Sequence, residues 1–319
     1  MTQEIKKITV EVPHRISGFF EIVDEIDGVK IIDSEKIGSR GAGFCLSAVG
    51  KTEIISEDPN TRVALETDIY INGERLDEKA ETTSFIVDFI KKHYKISSNI
   101  KIKHFFELPV GCGYGASGSG ALGTIFGLNH LFNLNLSYQE RGRIAHIAEV
   151  ENRTGLGTVC GQLGRGLCML KAPGYPCIYE RINVPEEIKI ICGTFGMIHT
   201  KSILTDPVLS MKIKKAGRRA LEKLIHEPSM STFVKESIKF VKATNILELL
   251  ELEKTKELMD NLNKLEIMGA SMNQLGRSVY AIAYKNNIKE ILEVFETFKP
   301  EIKIFSLEIN NNYPRIKKS

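Results

Sequence analysis

The 319-residue chain has little of what marks several common protein classes. Its formal net charge is only +3, too small at this length to suggest a polyanionic partner, so nucleic-acid binding is not expected. No stretch approaches 18 uninterrupted apolar residues, which argues against a membrane-spanning helix. The opening "MTQEIKKITV" lacks the apolar centre of a signal peptide. Six cysteines, at 45, 112, 160, 168, 177 and 192, include no C-x-x-C pair and no zinc-ligand spacing. Most stand among apolar neighbours, as buried free thiols do. A reducing cytoplasm is the expected location, with no membrane role. There is no internal repeat and no low-complexity linker. Oligomeric state leaves no trace, and a homodimer is left open.

What remains is ordinary globular material, 42% hydrophobic and 26% charged, enough for one large domain or two medium ones. Lysines crowd residues 212–223, but they alternate with apolar positions and read as a solvated helix face. The first half mixes strands and turns: "ITVEV" (8–12), "GFCLSAVG" (43–50), "TEIIS" (52–56) and "TRVALET" (61–67) are strand-like, with Gly, Asp and Asn between them. "AETTSFIVDFIKKHY" (80–94) places Phe85, Ile86, Phe89, Ile90 and Tyr94 on one helix face. "SYQERGRIAHIAEVEN" (137–152) is a second helix, with Ser137 and Glu140 in capping-box spacing.

After the turn "KAPGYP" (171–176), a strand is expected over 186–195 and helices over 207–266, broken at Pro228 and Asn245. A strand (277–284), a helix (288–298) and a strand (301–309) follow. This order suits a ferredoxin-like layer. The expected class is α+β, with an N-terminal mixed domain over 1–185 and a C-terminal ferredoxin-like domain over 186–319.

The stretch "LPVGCGYGASGSGALG" (108–123) carries six glycines in sixteen residues. It follows the alternating run "IKIKHFFEL" and precedes "TIFGLNHLF" (124–132), which reads as helix. A literal G-x-G-x-x-G lies at Gly113, Gly115 and Gly118. A dinucleotide fold would next require a second apolar strand ending in an acid; the window instead looks helical, and Glu140 is badly placed. "GKT" at 50–52 lacks the glycine a Walker A loop requires, Cys45 standing in its place. Tight helix packing explains Gly123 and Gly127. It does not explain five glycines between 111 and 120 with Ser117 and Ser119 at a helix start. Successive amides there would form a nest for phosphate, and a hydroxyl can reach a bridging magnesium ion.

The pattern P-x-x-x-G-x-G-x-S-G, from Pro109 through Gly113, Gly115 and Ser117 to Gly118, resembles the phosphate loop of the GHMP kinases. The usual centre, Gly-Leu-Gly-Ser-Ser, is here Gly-Tyr-Gly-Ala-Ser, so Tyr114 and Ala116 depart. "VPHRISGFFEI" (12–22), "GSRGAGF" (38–44), "RTGLGTV" (153–159) and "EIMGASMNQLGRSVYAIA" (266–283) extend the resemblance over residues 8 to 309. Within that superfamily they look most similar to the archaeal pantoate kinase branch, which phosphorylates pantoate for coenzyme A.

The resemblance implies a GHMP kinase fold using ATP and Mg2+. It implies that Pro109, Gly111, Gly113, Gly115, Ala116, Ser117, Gly118 and Ser119 hold the nucleotide. Ser117 and Glu149 would bind magnesium, and Ser39, His146 and Thr200 would bind pantoate. Without the resemblance, Glu149 reads as a surface carboxylate and His146 as structural. Arg40 and Arg15 suit a carboxylate; Arg165 and Lys171 do so less well. In many members of the branch the catalytic aspartate follows Gly-Leu-Gly. Here that position is Thr158, which cannot act as a base, leaving Glu151 as a substitute or no base at all. Other readings are a kinase for another small hydroxylated acid or alcohol such as mevalonate, a synthase on the same fold, or a non-catalytic ligand-binding homologue.

Overall fold

The computed structural model describes residues 6–57, 67–76, 80–198 and 206–317. The chain opens with β1 (Lys6–Val23), the short pair β2 (Glu25–Ile26) and β3 (Val29–Lys30), and β4 (Gly38–Glu57). The two strands expected at 43–50 and 52–56 are therefore one, 20 residues long. It pairs antiparallel with the 18-residue β1 almost end to end, with register shifts between Pro13 and Arg15 and between Ser17 and Phe19. Continuous pairing, not local propensity, carries the strand through its glycines.

Next come β5 (Thr67–Ile71), β6 (Glu74–Arg75), α1 (Glu81–Tyr94) and β7 (Asn99–Phe106). Residues 61–66 of the expected strand 61–67 lie outside the described residues. Then follow α2 (Ala116–Leu131), α3 (Tyr138–Glu151), α4 (Thr158–Gly164), β8 (Leu167–Leu170) and β9 (Tyr179–Ile182). The capping box forms as read: Ser137 Oγ accepts from the Glu140 amide at 3.1 Å and the Glu140 carboxylate accepts from the Ser137 amide at 2.8 Å. The first sheet runs β14-β1-β4-β7-β5-β6, where β14 (Arg315–Lys317) brings the end of the chain back beside β1. No sequence signal announced that return.

The rest of the chain forms β10 (Ile188–Thr194), α5 (Pro207–His226), α6 (Met230–Thr244), α7 (Ile246–Leu249), α8 (Glu253–Leu262), β11 (Gly269–Met272), β12 (Ser278–Tyr284), α9 (Ile288–Glu296) and β13 (Lys303–Leu307). Helix breaks fall where expected, for local reasons. Asp206 caps α5 with Pro207 in its first turn, Ser229 caps α6 just after Pro228, and Asn245 takes a left-handed φ of 56°. The antiparallel order β11-β12-β10-β13 is that of a βαββαβ layer. β11, too short and glycine-rich to be read, completes it.

One apolar cluster joins Ile8, Val10, Ile54 and Ile102 to α1, α2 and α3; another joins Phe19 and Phe44 of the first sheet to Phe233, Tyr280 and Phe295 of the second half. Helix α2 is buried on nearly every side. A side chain at Gly123 would collide with Thr52, and one at Gly127 would stand 2.6 Å from the Ile54 side chain, so both glycines let the helix lie flat on β4.

Among the cysteines the thiol expectation holds for Cys45, Cys112, Cys168 and Cys192, all buried and free. It fails for Cys160 and Cys177, which form a disulfide with Cα atoms 5.3 Å apart. The loop 171–178 folds back over α4, a contact that a separation of 17 residues does not reveal. Cys160→Ser should lower unfolding stability by about 3 kcal/mol, the entropy of releasing so short a loop. Denaturant titration with and without dithiothreitol checks it: the reductant should destabilise the wild type and leave the variant unchanged.

Candidate active site

The glycine loop lies between the two halves, and the carbonyls of Gly111, Cys112, Tyr114 and Gly115 are taken up by protein donors. Gly111 O accepts from the Ile198 amide at 2.9 Å. Cys112 O accepts from Ser278 Oγ at 2.9 Å and Asn273 Nδ2 at 3.4 Å. Tyr114 O accepts from the Arg15 amide at 3.0 Å and faces His14 Nδ1 at 2.9 Å. Gly115 O accepts from the Ser119 amide and from Gln162 Nε2, both at 3.1 Å. The amides of residues 113–118 find no protein acceptor among the described residues. Left-handed φ values at Gly111 (74°), Gly113 (81°) and Gly115 (67°) produce this arrangement. A side chain at Gly113 would stand 3.0 Å from Gln274 O, so the late turn 273–276 packs directly on the loop.

Helix α2 begins at Ala116, not after residue 123. Gly118, Gly120 and Gly123 are thus helical, and Gly118 and Gly123 serve close packing against Gln162 and Thr52. The Ser119 amide is consumed within the first turn, and Ser119 Oγ donates to Val12 O at 3.1 Å, fully buried. Pro109, Gly118 and Ser119 do not line the cavity at this loop, whereas Gly111, Gly113, Gly115, Ala116 and Ser117 do. Its volume is about 600 Å³.

Ser117 Oγ donates to Glu149 Oε1 at 2.7 Å. Glu149 is fully buried, and the Val159 amide donates to its other oxygen at 3.3 Å. Burial raises its pKa from 4.5 to about 7, against the lowering effect of the Ser117 and Val159 hydrogen bonds. A side chain at Gly155 would stand 2.6 Å from Oε1, so this glycine makes room for the carboxylate. A hydroxyl and one carboxylate beside a phosphate-sized nest are donors of the type Mg2+ uses with substrate phosphates, water completing its shell. No cluster of three or more His, Cys, Asp or Glu suited to a metal exists among the described residues.

Thr158 opens α4 and lines the cavity, as do Ser39 and Arg40. Arg40, expected to face a substrate carboxylate, instead donates through Nε and Nη2 to the buried Glu21, at 2.9 and 2.6 Å. His146 lies one turn before Glu149 but does not line the cavity. Its Nε2 meets Ile37 O at 3.0 Å, and burial lowers its pKa. Thr200 lies outside the described residues. Glu151 is exposed and accepts from Ser34, away from the cavity, so it does not replace the missing base. Arg165 stacks on Tyr313 at 3.5 Å and Lys171 pairs with Glu180 at 3.0 Å, both outside the cavity. Sequence reasoning missed Ser17 and Gln274, which do line it; both sit in stretches that carried the resemblance.

A strand entering an amide nest at a helix start, with a hydroxyl–carboxylate pair behind it and a βαββαβ layer against it, defines the GHMP kinase class. The model "GHMP kinases N terminal domain" matches residues 81–163. The chain belongs to the pantoate kinase family within that class. It is 32% identical to pantoate kinase of Methanocaldococcus jannaschii over 89% of this chain and 96% of that one. With pantoate kinase of Thermococcus kodakarensis the identity is 31%, over 85% and 86%. Among solved structures, a "phosphotransferase related to CoA biosynthesis pathway" superposes with a TM-score of 0.83 at 25% identity, covering 98% of this chain and 99% of that one. Homoserine kinase of Cytophaga hutchinsonii shares the fold at a TM-score of 0.70 and 14% identity, covering 99% of each chain.

Glu149 gives a signed pH dependence. Its proton is held more tightly in the folded state than in the unfolded one, so stability falls as pH rises from 4.5 to about 7 and then levels. The full penalty is about 3 kcal/mol. Without divalent cations, Glu149→Gln should raise Tm, and the gain should be larger at pH 8 than at pH 5.5 in thermal melts. Added magnesium should stabilise the wild type and not the variant.

Proposed function

We propose that the protein transfers the γ-phosphoryl group of ATP to a hydroxyl of pantoate, giving 4-phosphopantoate for coenzyme A synthesis. The observation that carries this reading is the set of acceptor-free amides over residues 113–118, next to the buried Ser117–Glu149 pair. In this reading residues 1–185 carry the nucleotide site and 186–319 close it from the other side. Ser39 and His146 position pantoate, His146 acting from behind through the 37–39 backbone, with Thr200 a further contact. The reaction is one of the cytoplasm, where its substrates are small and soluble. No helix among the described residues is long and apolar enough to cross a membrane.

The chemistry asks for position and charge compensation more than for covalent help. The loop amides hold the phosphates along the α2 axis, where the helix dipole adds to them. Ser117 and Glu149 would hold Mg2+, which offsets charge on the transferred group. The acceptor oxygen attacks the γ-phosphorus as the bond to the ADP oxygen breaks. Thr158 at the acceptor end cannot take the acceptor's proton. A loose transition state needs that proton only late, and it leaves to the newly bonded phosphoryl oxygens or to water.

ADP release from Mg-ATP, coupled to NADH oxidation, should be seen with D-pantoate and not with pantothenate, mevalonate or homoserine. Ser117→Ala should lower kcat/KM by about 100-fold or more while the protein stays folded. Turnover with a different acceptor would keep the class and overturn the substrate. ATP binding with no turnover on any acceptor would overturn the catalytic reading.

A further inference from the structure

Among the described residues, Arg15 is a buried charge that no carboxylate contacts. It is 3% exposed and lines the cavity. The two register shifts in the β1–β4 pairing bracket it together with Ser17; such bulges re-aim side chains beside functional sites. Room for the guanidinium is made by two glycines. A side chain at Gly161 would collide with Nε, and one at Gly43, besides colliding with Ile16 O, would stand 3.0 Å from Nη2. Nη1 donates to Gly161 O at 3.0 Å and lies 3.5 Å from Cys168 Sγ.

None of those neighbours is an anion. The Cys45 and Cys168 thiols both donate to Gly161 O, and burial pushes the Cys45 pKa up to about 12, so it stays protonated. No carboxylate contacts Arg15 among the described residues. Glu149, behind Ser117, is engaged by Ser117 and the Val159 amide, and Glu81, a carboxylate that does line the cavity, is exposed. Arg40 is held on Glu21, whose other oxygen accepts from Arg218 at 3.0 Å, and Arg153 is exposed, where a charge is hydrated. A buried guanidinium without a counter-ion is costly and persists where a ligand supplies the anion.

Position separates the two candidate anions. Arg15 Cβ stands 3.5 Å from where a side chain at Gly115 would begin, and the side chain runs from there past Thr158 to Gly161, one turn further along α4. The guanidinium thus meets α4 at Gly161, whereas the Glu149 carboxylate is met by the Val159 amide in the first turn of that helix. We propose that Arg15 binds the carboxylate of the acceptor and so selects a hydroxy acid over a neutral alcohol. This rests on the kinase reading above and adds a residue to it. With threonine at 158 in place of an acid, no carboxylate among the described residues pairs with the guanidinium.

The test is steady-state kinetics with Mg-ATP on pantoate and on its carboxamide, which keeps both hydroxyls and loses the charge. Arg15→Gln should raise the pantoate KM by about 10- to 100-fold, leave the ATP KM within about two-fold, and abolish the preference for acid over amide. Arg15→Lys, which keeps the charge, should restore part of that preference. Should Arg15→Gln fail to fold, Gly161→Ala displaces the guanidinium and should show the same acid-selective loss. A rise in the ATP KM with the acid preference intact would assign Arg15 to the phosphates and overturn the proposal. Loss of kcat alone would make it structural, with the same consequence. If the wild type uses a different carboxylic acid, the kinase substrate is wrong and Arg15 is judged on that acid and its amide. If it uses only an acceptor without a carboxylate, both fail.

Discussion

The cavity depends on how the backbone of residues 111–115 is held. Four of its five carbonyls, all but that of Gly113, are bound by donors from β1, α4, β12, the 273–276 turn and Ile198. Once those oxygens are fixed, the peptide planes are fixed, and the amides must point the other way. Only left-handed glycines make both demands compatible. The two halves of the chain therefore meet at a hydrogen-bonded seam, with Ser278 and Asn273 gripping Cys112 O from the second half and Arg15 and His14 meeting Tyr114 O from the first.

Glycines outside the loop serve a different purpose. Gly123 and Gly127 press α2 onto β4, Gly155 admits the Glu149 carboxylate, and Gly43 and Gly161 admit the Arg15 guanidinium. The last three hold open space for buried charge. Burial without full compensation gives Glu149 its raised pKa, and no carboxylate among the described residues contacts the buried Arg15. A buried carboxyl behind Ser117 and a buried guanidinium at the cavity wall suit a metal–nucleotide complex and an acidic acceptor. That pairing of charges is the physical content of the functional reading.

The departures at the site are equally physical. Arg40 was chemically apt for a substrate carboxylate, but β1 places Glu21 opposite it, and a protein carboxylate needs no binding entropy to stay there. His146 shares a helix face with Glu149, yet the 33–39 segment lies across it and takes its Nε2. Ser119 looked equivalent to Ser117 in sequence. Two positions along a helix point to different sides, and Ser119 faces Val12 instead.

The sequence alone determined what short-range physics controls: the capped start of α3, the breaks at Pro228 and Asn245, three strands and the helices of the second layer, and a glycine nest ahead of a helix. It also carried the motif that marked Ser117 and Glu149. It left open whatever depends on contacts between distant segments. The start of α2 inside the glycine run, the return of 315–317 to β1, the Cys160–Cys177 bond and the isolation of Arg15 were all decided in three dimensions. The reason is common to them. A residue's charge, thiol or φ angle is written locally, but whether it finds a partner depends on what the rest of the chain brings within a few ångströms.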